Sequence, residues 1–239
     1  MCGRYAITLP PEAVRGFFRY VEQPNFPPRT NIAPTQPIPI VLASRDGAGL
    51  TRHFVLARWG FLPGFVKAPK DFPLIINARA ETLGEKASFR AALMRRRCLV
   101  IADAYYEWLR DRSGAKRPAP SRPFMIRRRD GRPMGLAGLY ETWSDPNGGE
   151  IDTACIVTTG ANGATAFVHD RMPAIIEDAS FDAWLDVEAT PKPQALALLR
   201  PAAEDLLETI EIGTAVNRVV NDGPEVQKPL ARPPETLDV

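Results

Sequence analysis

Short apolar blocks, separated by Gly, Pro, Asn and Asp, run along most of this 239-residue chain. Blocks of β-branched or aromatic residues between such breakers predict strands, whereas apolar residues three or four positions apart predict helices. The segments that predict strands, the first of which begins as a proline-rich loop, are residues 24–43, 51–65, 72–82, 98–109, 123–143, 152–162, 171–176 and 208–216. The segments that predict helices are residues 11–21, 88–97, 164–170, 180–185 and 193–207.

Local signals refine three of these elements. Ser88 and Ser180 stand at the starts of two predicted helices, where a serine is a favoured capping residue. Asp130 and Gly131 separate two apolar runs, which is the strongest short-range signal for a β-hairpin. Residues 98–109 contain two consecutive apolar runs and predict a pair of strands or one bent strand.

The balance of elements defines the fold class. Many strands, few short helices and no regular βαβ alternation predict one α+β domain, built on a curved, mostly antiparallel β-sheet or barrel. We expect this domain to span residues 1–224. Residues 225–239 are proline-rich and polar, and we expect them to form a flexible tail.

Composition narrows the class of protein. Three cysteines with no close pairing argue against a disulfide framework and for a reducing cytosol. Two histidines and no Cys-x-x-Cys motif predict no metal site, and nothing indicates a cofactor. No apolar run approaches the ~18 residues of a membrane helix, and the N-terminus lacks a secretory pattern. We therefore expect a cytoplasmic protein that binds no membrane.

Charge is segregated along the chain. Residues 1–132 contain 24 Lys and Arg against 10 Asp and Glu, whereas residues 133–239 contain 6 against 18. Of the 30 basic residues 24 are Arg, whose planar donors match phosphate oxygens. A GC-rich genome also favours Arg over Lys, but it does not explain the segregation. A basic face for nucleic acid would explain it, and we expect such a face.

The second residue is chemically unusual. Because Cys2 is small, a methionine aminopeptidase is expected to remove Met1. The mature chain then begins with a free α-amine and a thiol on adjacent carbons. Position 2 is either an accident of the start codon or the active centre.

Several polar residues lie where strands favour apolar ones. Asn77 and Arg79 share one face at a strand end, and Glu107 lies between aromatic residues. Burial of a carboxylate is costly unless it is paired, and it raises the pKa. His169 and Arg171 precede another strand. Each residue alone has a structural explanation, but together they supply the acid, base and anchoring groups that an amine–thiol nucleophile needs.

With these segments in order, the chain resembles the SOS response-associated peptidase (SRAP) family, whose members are also described as abasic-site sensors that crosslink to DNA. The resemblance runs from Cys2 to about Pro224. It is carried by nine motifs in the same order, namely MCGRYA, NIAPTQ, RWGFLP, NARAET, CLVIADAYYEW, GLAGLYETW, CIVTTGAN, HDRMPAII and AVNRVVNDGP.

The resemblance implies a twisted antiparallel sheet or barrel with a positively charged channel for single-stranded DNA that contains abasic sites, and it favours a monomer. It implies that Cys2, exposed after loss of Met1, captures the abasic site. The other positions that match the family's motifs are Arg4, Asn77, Arg79, Glu107, His169 and Arg171.

The chain also departs from the family pattern. Ile101 and Ala104 stand where Pro and Gly are expected, and Thr30 replaces a Tyr. Phe65 stands where an aromatic wedge is often Trp. These changes affect loop shape and stacking strength, and none removes a reactive group.

The reactive groups suggest a specific reaction. An α-amine with an ordinary pKa of about 7.7–8.0 adds to the aldehyde of an opened abasic sugar to give an imine. The thiol of Cys2 then closes a five-membered thiazolidine ring. A lysine could form the imine but not the ring, which explains why the cysteine must come first.

Each matching residue receives a hypothetical role. Glu107 shuttles protons, His169 protonates the sugar ring oxygen, and Asn77 holds Cys2. The residues expected to bind phosphates are Arg4, Arg79 and Arg171, and those expected to stack on an unpaired base are Trp59, Phe61 and Phe65.

Two other functions remain open from the sequence. In a cysteine-type peptidase, which could be limited to self-cleavage, Cys2 attacks a carbonyl with His169 as base. A plain single-strand-binding module leaves no covalent product. A crosslinking protein with lyase-like chemistry is the function that we predict.

Overall fold

The structure is a computed structural model that describes residues 2–110, 119–145 and 148–230. Its strands are β1 Tyr5–Ile7, β2 Arg29–Ile32, β3 Pro37–Asp46, β4 Gly49–Trp59, β5 Asn77–Arg79, β6 Arg97–Ala102, β7 Ala104–Leu109, β8 Arg122–Arg128, β9 Met134–Ser144, β10 Glu150–Gly160, β11 Arg171–Pro173, β12 Ile175–Ile176 and β13 Leu207–Glu211. Its α-helices are α1 Pro11–Phe18, α2 Ala87–Arg95, α3 Gly163–Ala166, α4 Phe181–Leu185 and α5 Lys192–Ala197.

The strands form two sheets. The smaller sheet has the order β13-β8-β7-β1-β2, and its pairings are antiparallel. In the larger sheet the pairings β10-β4-β3-β6-β9 close on themselves, because β9 also pairs with β10. Strands β4 and β5 pair with β10 in parallel, and the other pairings are antiparallel. The predicted α+β class with a mostly antiparallel, curved sheet is confirmed.

One continuous core lies between the sheets. Tyr5 and Tyr105 from the smaller sheet pack in the same buried cluster as Trp59 and Ile156 from the larger one. The two sheets therefore share one hydrophobic interior, and residues between them are removed from solvent.

The chain passes from one sheet to the other at Asp103. Strand β6 ends in the larger sheet and β7 begins in the smaller one, so of the two predicted alternatives the pair of strands is the one that forms. The Asp103 carboxylate accepts hydrogen bonds from the backbone N–H groups of Thr8 and Leu9. This contact fixes the bend against the N-terminal strand.

The predicted β-hairpin at Asp130 and Gly131 is wrong. Strands β8 and β9 flank this turn but belong to different sheets and do not pair with each other. The Asp130 carboxylate instead binds the guanidinium groups of Arg128 and Arg132. The Asp-Gly pair is a turn between sheets, in which Gly131 adopts a φ of 71°.

Other element boundaries also differ from the predictions. Helix α2 begins at Ala87, so Ser88 lies inside it, and Ser180 precedes α4 without a side-chain cap hydrogen bond. The segment 193–207 is helical only to Ala197, since the chain leaves the helix before Pro201. Strand β5 covers only the polar end of the segment 72–82. None of the helices among the described residues has both the length and the apolar character of a membrane span.

The C-terminal segment, residues 214–230, packs onto the smaller sheet. Val226 is completely buried, and Gln227 donates a hydrogen bond to the Tyr106 hydroxyl. Leu230 donates its backbone N–H to the carbonyl of Glu211. The predicted boundary at residue 224 is therefore too early, and the rest of the predicted tail, residues 231–239, lies outside the described residues.

Two polar side chains anchor this segment, and we call them the Asn31–Asp222 cluster. The Asp222 carboxylate accepts the backbone N–H groups of Thr30 and Asn31, at 2.6 and 2.8 Å. Asn31, itself buried, donates to the carbonyls of Arg218 and Asn221. The cluster thereby ties the end of the described chain to β2.

Candidate active site

Cys2 lies immediately before β1, where the two sheets meet. Its side chain is completely buried, and its Sγ is 3.8 Å from the carbonyl oxygen of Arg4. Asn77, on β5 of the larger sheet, donates its Nδ2 to the Cys2 carbonyl oxygen at 2.8 Å. This hydrogen bond joins the first residue of the expected mature chain to the larger sheet.

Glu107 approaches the same place from β7. Its side chain is buried, and burial raises its pKa from 4.5 to about 7. Burial also raises the pKa of the Cys2 thiol, and the nearby Glu107 raises it further. The carboxyl group is therefore poised to exchange a proton at neutral pH, while the resting sulfur is a protonated thiol.

His169 lies in the turn that precedes β11. Its Nδ1 accepts the backbone N–H of Arg171 at 2.9 Å and also lies 2.9 Å from the Asp170 carboxylate. The first contact suits a neutral imidazole that carries its proton on Nε2, and the second suits a protonated ring that donates to Asp170. Both protonation states of His169 thus have a partner, as a general acid requires.

Arg79 and Arg171 flank the end of β10. Arg79 pairs in register with Thr158, and Arg171 pairs with Gly160 on the same strand. The Arg171 guanidinium forms a two-point ion pair with Glu81, at 2.6 and 2.9 Å, and donates to the Thr158 carbonyl. Arg79 is exposed and makes no ion pair with any residue that the structure describes. Arg79 is thus free to meet a phosphate, whereas Arg171 is engaged within the protein.

Arg4 is half-buried beside the nucleophile. One of its terminal nitrogens donates to Asn31 Oδ1 at 2.8 Å and to the Val216 carbonyl at 2.7 Å. Its guanidinium lies over the Trp108 ring, 5.9 Å from the centroid. The Asn31 side chain and the Val216 carbonyl therefore orient Arg4.

Several buried polar atoms at this junction lack hydrogen-bond partners among the described residues. They are Arg4 Nε, Asn77 Oδ1, Arg171 Nε and the hydroxyl of Tyr5. Buried polar groups are paired in nearly all native structures, so a group of such atoms indicates a site awaiting a ligand. Of these residues, Tyr5 is the one that the sequence did not single out, because it lies within an ordinary apolar run.

The aromatic predictions divide into two groups. Trp59 and Phe61 are completely buried, with Trp59 Nε1 bonded to the Ile76 carbonyl and Phe61 packed against Phe89. Neither ring face is open, so the prediction that they stack on a base is wrong. Phe65 is 62% exposed and remains the candidate.

Ion pairs within the chain account for much of its charge segregation. Arginines from the basic part of the chain pair with carboxylates from the acidic part. These pairs are Arg29–Asp222, Arg45–Asp186, Arg52–Asp182, Arg96–Glu141, Arg122–Glu211, Arg127–Glu208, Arg128–Asp178 and Arg132–Asp178. A basic face for nucleic acid is therefore not needed to explain the pattern, and the argument for DNA binding depends on unpaired residues such as Arg79.

Comparisons with known proteins agree with this assembly. The family model described as SOS response associated peptidase (SRAP) matches residues 1–219. The abasic site processing protein YoqW of Bacillus subtilis (strain 168) is 34% identical over 229 residues, which cover 95% of this chain and 98% of YoqW. The abasic site processing protein HMCES of Xenopus tropicalis is 31% identical, over 94% of this chain and 77% of HMCES. A crystal structure of a protein from Bacteroides thetaiotaomicron matches with a TM-score of 0.82 and 25% identity, over 96% of this chain and 100% of that one. The chain belongs to the SRAP family.

Proposed function

We propose that this protein, as a monomer, captures abasic sites in single-stranded DNA by forming a thiazolidine crosslink through Cys2 after Met1 is removed. The observation that most supports the proposal is the hydrogen bond from Asn77 to the Cys2 carbonyl, because it fixes the N-terminal residue where the two sheets meet. The buried Glu107 lies close enough to Cys2 to raise the pKa of its thiol. The names of the relatives, which are abasic site processing proteins, support the choice of lesion.

The reaction needs no external oxidant or reductant. The α-amine of Cys2 adds to the C1′ aldehyde of the opened sugar, and loss of one water gives the imine. The sulfur then bonds to C1′, and the thiol proton ends on the ring nitrogen. The product ring contains S, Cβ, Cα, N and C1′, and its closure is intramolecular, so it gains the advantage of a high effective concentration.

Glu107 and His169 supply the proton transfers. With a pKa of about 7, Glu107 accepts a proton from the attacking amine and returns one to the departing water at neutral pH. His169 protonates the sugar ring oxygen, and Asp170 stabilises the charged imidazole that precedes this step. Arg171 positions the His169 ring, because its backbone N–H donates a hydrogen bond to His169 Nδ1.

DNA binding is assigned to exposed or unpaired side chains. Arg79 offers an exposed, unpaired guanidinium to a phosphate near the lesion, and Phe65 offers a ring face to an unpaired base. Arg4 has a buried Nε with no partner among the described residues, which is suited to a phosphate or sugar oxygen beside Cys2.

Peptidase chemistry is less well supported. A Cys–His peptidase depends on a lowered thiol pKa. Here burial and Glu107 both raise the pKa of the Cys2 thiol. A thiol that attacks only after an imine has formed next to it has less need of prior ionisation.

The test uses a single-stranded oligonucleotide with one abasic site, made from a uracil by uracil-DNA glycosylase. After incubation with the N-terminally processed protein, the sample is boiled in detergent and run on a denaturing gel. We expect a covalent band that is absent with an intact strand and weaker with a duplex. Its absence with the wild-type protein contradicts the proposal.

One variant and one chemical modification separate the three candidate functions. Cys2→Ala keeps the α-amine, so it should give an adduct only when borohydride reduces the imine. Chemical acetylation of the α-amine should abolish the crosslink, whereas a thiol-only peptidase should survive it. A single-strand-binding module should give no covalent band in any sample.

A further inference from the structure

Glu81 lies beside the two arginines, Arg79 and Arg171, that the sequence predicts as phosphate ligands. It belongs to a short 3₁₀ turn, Ala80–Thr82, which follows β5 directly. Its two carboxylate oxygens accept hydrogen bonds from Arg171 at 2.6 and 2.9 Å. Hydrogen bonding by Arg171 lowers the pKa of Glu81, and the positive charges of Arg171 and Arg79 lower it further. Glu81 is therefore a carboxylate at neutral pH, within electrostatic reach of both guanidinium groups.

The two partners of this ion pair are held unequally. The Arg171 side chain is only 15% exposed, and it also donates to the carbonyl oxygen of Thr158 at 2.6 Å and to its hydroxyl at 3.3 Å. The Glu81 side chain is 52% exposed, and within the described part of the chain no other side chain is bonded to its carboxylate. When the ion pair opens, Glu81 can turn into solvent, whereas Arg171 stays fixed to β10.

A DNA phosphate can take the place of the Glu81 carboxylate. A guanidinium group binds a carboxylate and a phosphate in the same way, through two parallel N–H groups. Arg171 also has a buried Nε without a hydrogen-bond partner among the described residues. Arg79, the exposed cation two positions before Glu81, pairs in register with Thr158, the residue that holds Arg171. A DNA backbone that binds Arg79 therefore brings its negative charges close to Glu81.

Resting on the proposed function, we infer that Glu81 is a specificity-determining residue, whose carboxylate competes with DNA phosphates for the guanidinium of Arg171. A phosphate has to displace Glu81 before Arg171 can bind it. Phosphate contacts carry no information about sequence, so this competition weakens the binding of every single strand alike. Intact strands then dissociate, whereas a strand with an abasic site is retained by its covalent bond to Cys2. Glu81 thereby favours damaged DNA over intact DNA.

The test compares wild type with Glu81→Gln, in which a neutral amide of the same shape replaces the competing charge. Fluorescence anisotropy measures the affinity for a labelled, intact single-stranded oligonucleotide over a range of salt concentrations. We expect Glu81→Gln to bind about fivefold more tightly at low salt. The slope of log affinity against log salt should become steeper by about 0.7, which corresponds to one additional phosphate contact. If Glu81 only supported the fold, its substitution would leave the affinity unchanged or lower it.

Two control variants separate competition at Arg171 from a change in net charge. Glu177→Gln breaks the exposed ion pair with Arg200 and changes the net charge equally, and it should raise the affinity less than about twofold. The double variant Glu81→Gln/Arg171→Met lacks the released guanidinium, so its salt slope should return to the wild-type value. The melting temperature of Glu81→Gln should fall by no more than about 4 °C, because a partly exposed ion pair contributes little to stability.

The oligonucleotide contains no lesion, so the outcomes separate this inference from the proposed function. Wild-type affinity in Glu81→Gln, or an equal gain in Glu177→Gln, overturns the inference even if wild type crosslinks abasic DNA normally. A steep salt slope that persists in the double variant also overturns it, because the additional contact would then not be Arg171. A gain that requires both the loss of Glu81 and the presence of Arg171 supports the inference. If wild type nevertheless forms no crosslink with abasic DNA, the proposed function fails alone.

Discussion

Two buried polar regions of this protein differ in whether their polar atoms have hydrogen-bond partners. In the Asn31–Asp222 cluster, carboxylate and amide groups meet backbone partners at normal hydrogen-bond distances. Around Cys2, by contrast, Asn77 Oδ1, Arg4 Nε and the Tyr5 hydroxyl lack such partners among the described residues. Since an unpaired buried polar group costs free energy, the first region serves the fold, and we infer that the second serves the reaction.

The largest effect is expected from Glu107→Gln, which removes the buried carboxyl group beside Cys2. The crosslinking rate should fall about 100-fold or more, with little change in affinity for intact single-stranded DNA. The wild-type rate should change slope near pH 7, where Glu107 titrates, and the variant should lack this inflection. A single-turnover gel assay across pH measures both effects.

Thermal melting of the same pair checks the sign of the pKa shift. The folded pKa of Glu107 is raised, so the stability due to its protonated form is present below pH 4.5 and is lost as pH rises through 7. Glu107→Gln should therefore gain melting temperature relative to wild type between pH 5 and pH 8. A constant difference across this range would contradict the raised pKa.

The next largest effect is expected from a substitution in the Asn31–Asp222 cluster. Asp222→Ala removes the acceptor of two backbone N–H groups and the ion pair with Arg29, and should lower the free energy of unfolding by about 3 kcal/mol. Differential scanning calorimetry should show a fall of about 6–12 °C. At temperatures where the variant remains folded, its crosslinking rate should stay within about twofold of wild type. A tenfold slower reaction without lower stability would show that the Asn31–Asp222 cluster serves the reaction and not the fold.

A smaller effect is expected from the exposed side chain of Phe65. Phe65→Ala should weaken binding to intact single-stranded DNA about tenfold, because stacking on one base contributes about 1–3 kcal/mol. Phe65→Leu keeps an apolar side chain without a ring and should fall between the two. Fluorescence anisotropy measures the three affinities, and equal values for all three would exclude stacking by Phe65.

The smallest effect is expected from Arg79→Ala. Binding should weaken about threefold to fivefold at low salt, and the slope of log affinity against log salt should decrease by about 0.7. Arg200→Ala is the matched control, since Arg200 is also exposed but is paired with Glu177. A control that loses as much affinity as Arg79→Ala would show that only net charge matters.

Much of the fold could be predicted from local pattern. The paired apolar runs around Asp103 predicted a pair of strands or one bent strand, and the scarcity of helical spacing indicated a sheet-based domain. The hairpin prediction at Asp130 failed because an Asp-Gly turn specifies only a reversal, whereas long-range pairing decides which strands become neighbours. The predicted length of α5 was wrong for a related reason. The apolar spacing of the sequence continues past Ala197, where the helix ends.

The candidate site was predictable where polar residues interrupt apolar patterns. Asn77 and Glu107 stood out in this way, and both interact with Cys2 in the structure. Trp59 and Phe61 could not be assigned correctly, because sequence does not show which face of a ring packs against a neighbouring strand. The partners of Arg4 were also invisible, since Val216 is 212 positions away.

That last separation has a consequence for synthesis on the ribosome. The groups that surround the first residues come from positions 77, 107 and 216, so a nascent chain cannot complete this enclosure until it is almost finished. Until position 216 has been synthesised, the emerging amino terminus lacks at least one of these partners. Under the proposed function, this order of synthesis leaves time to remove Met1 before the folded protein buries Cys2.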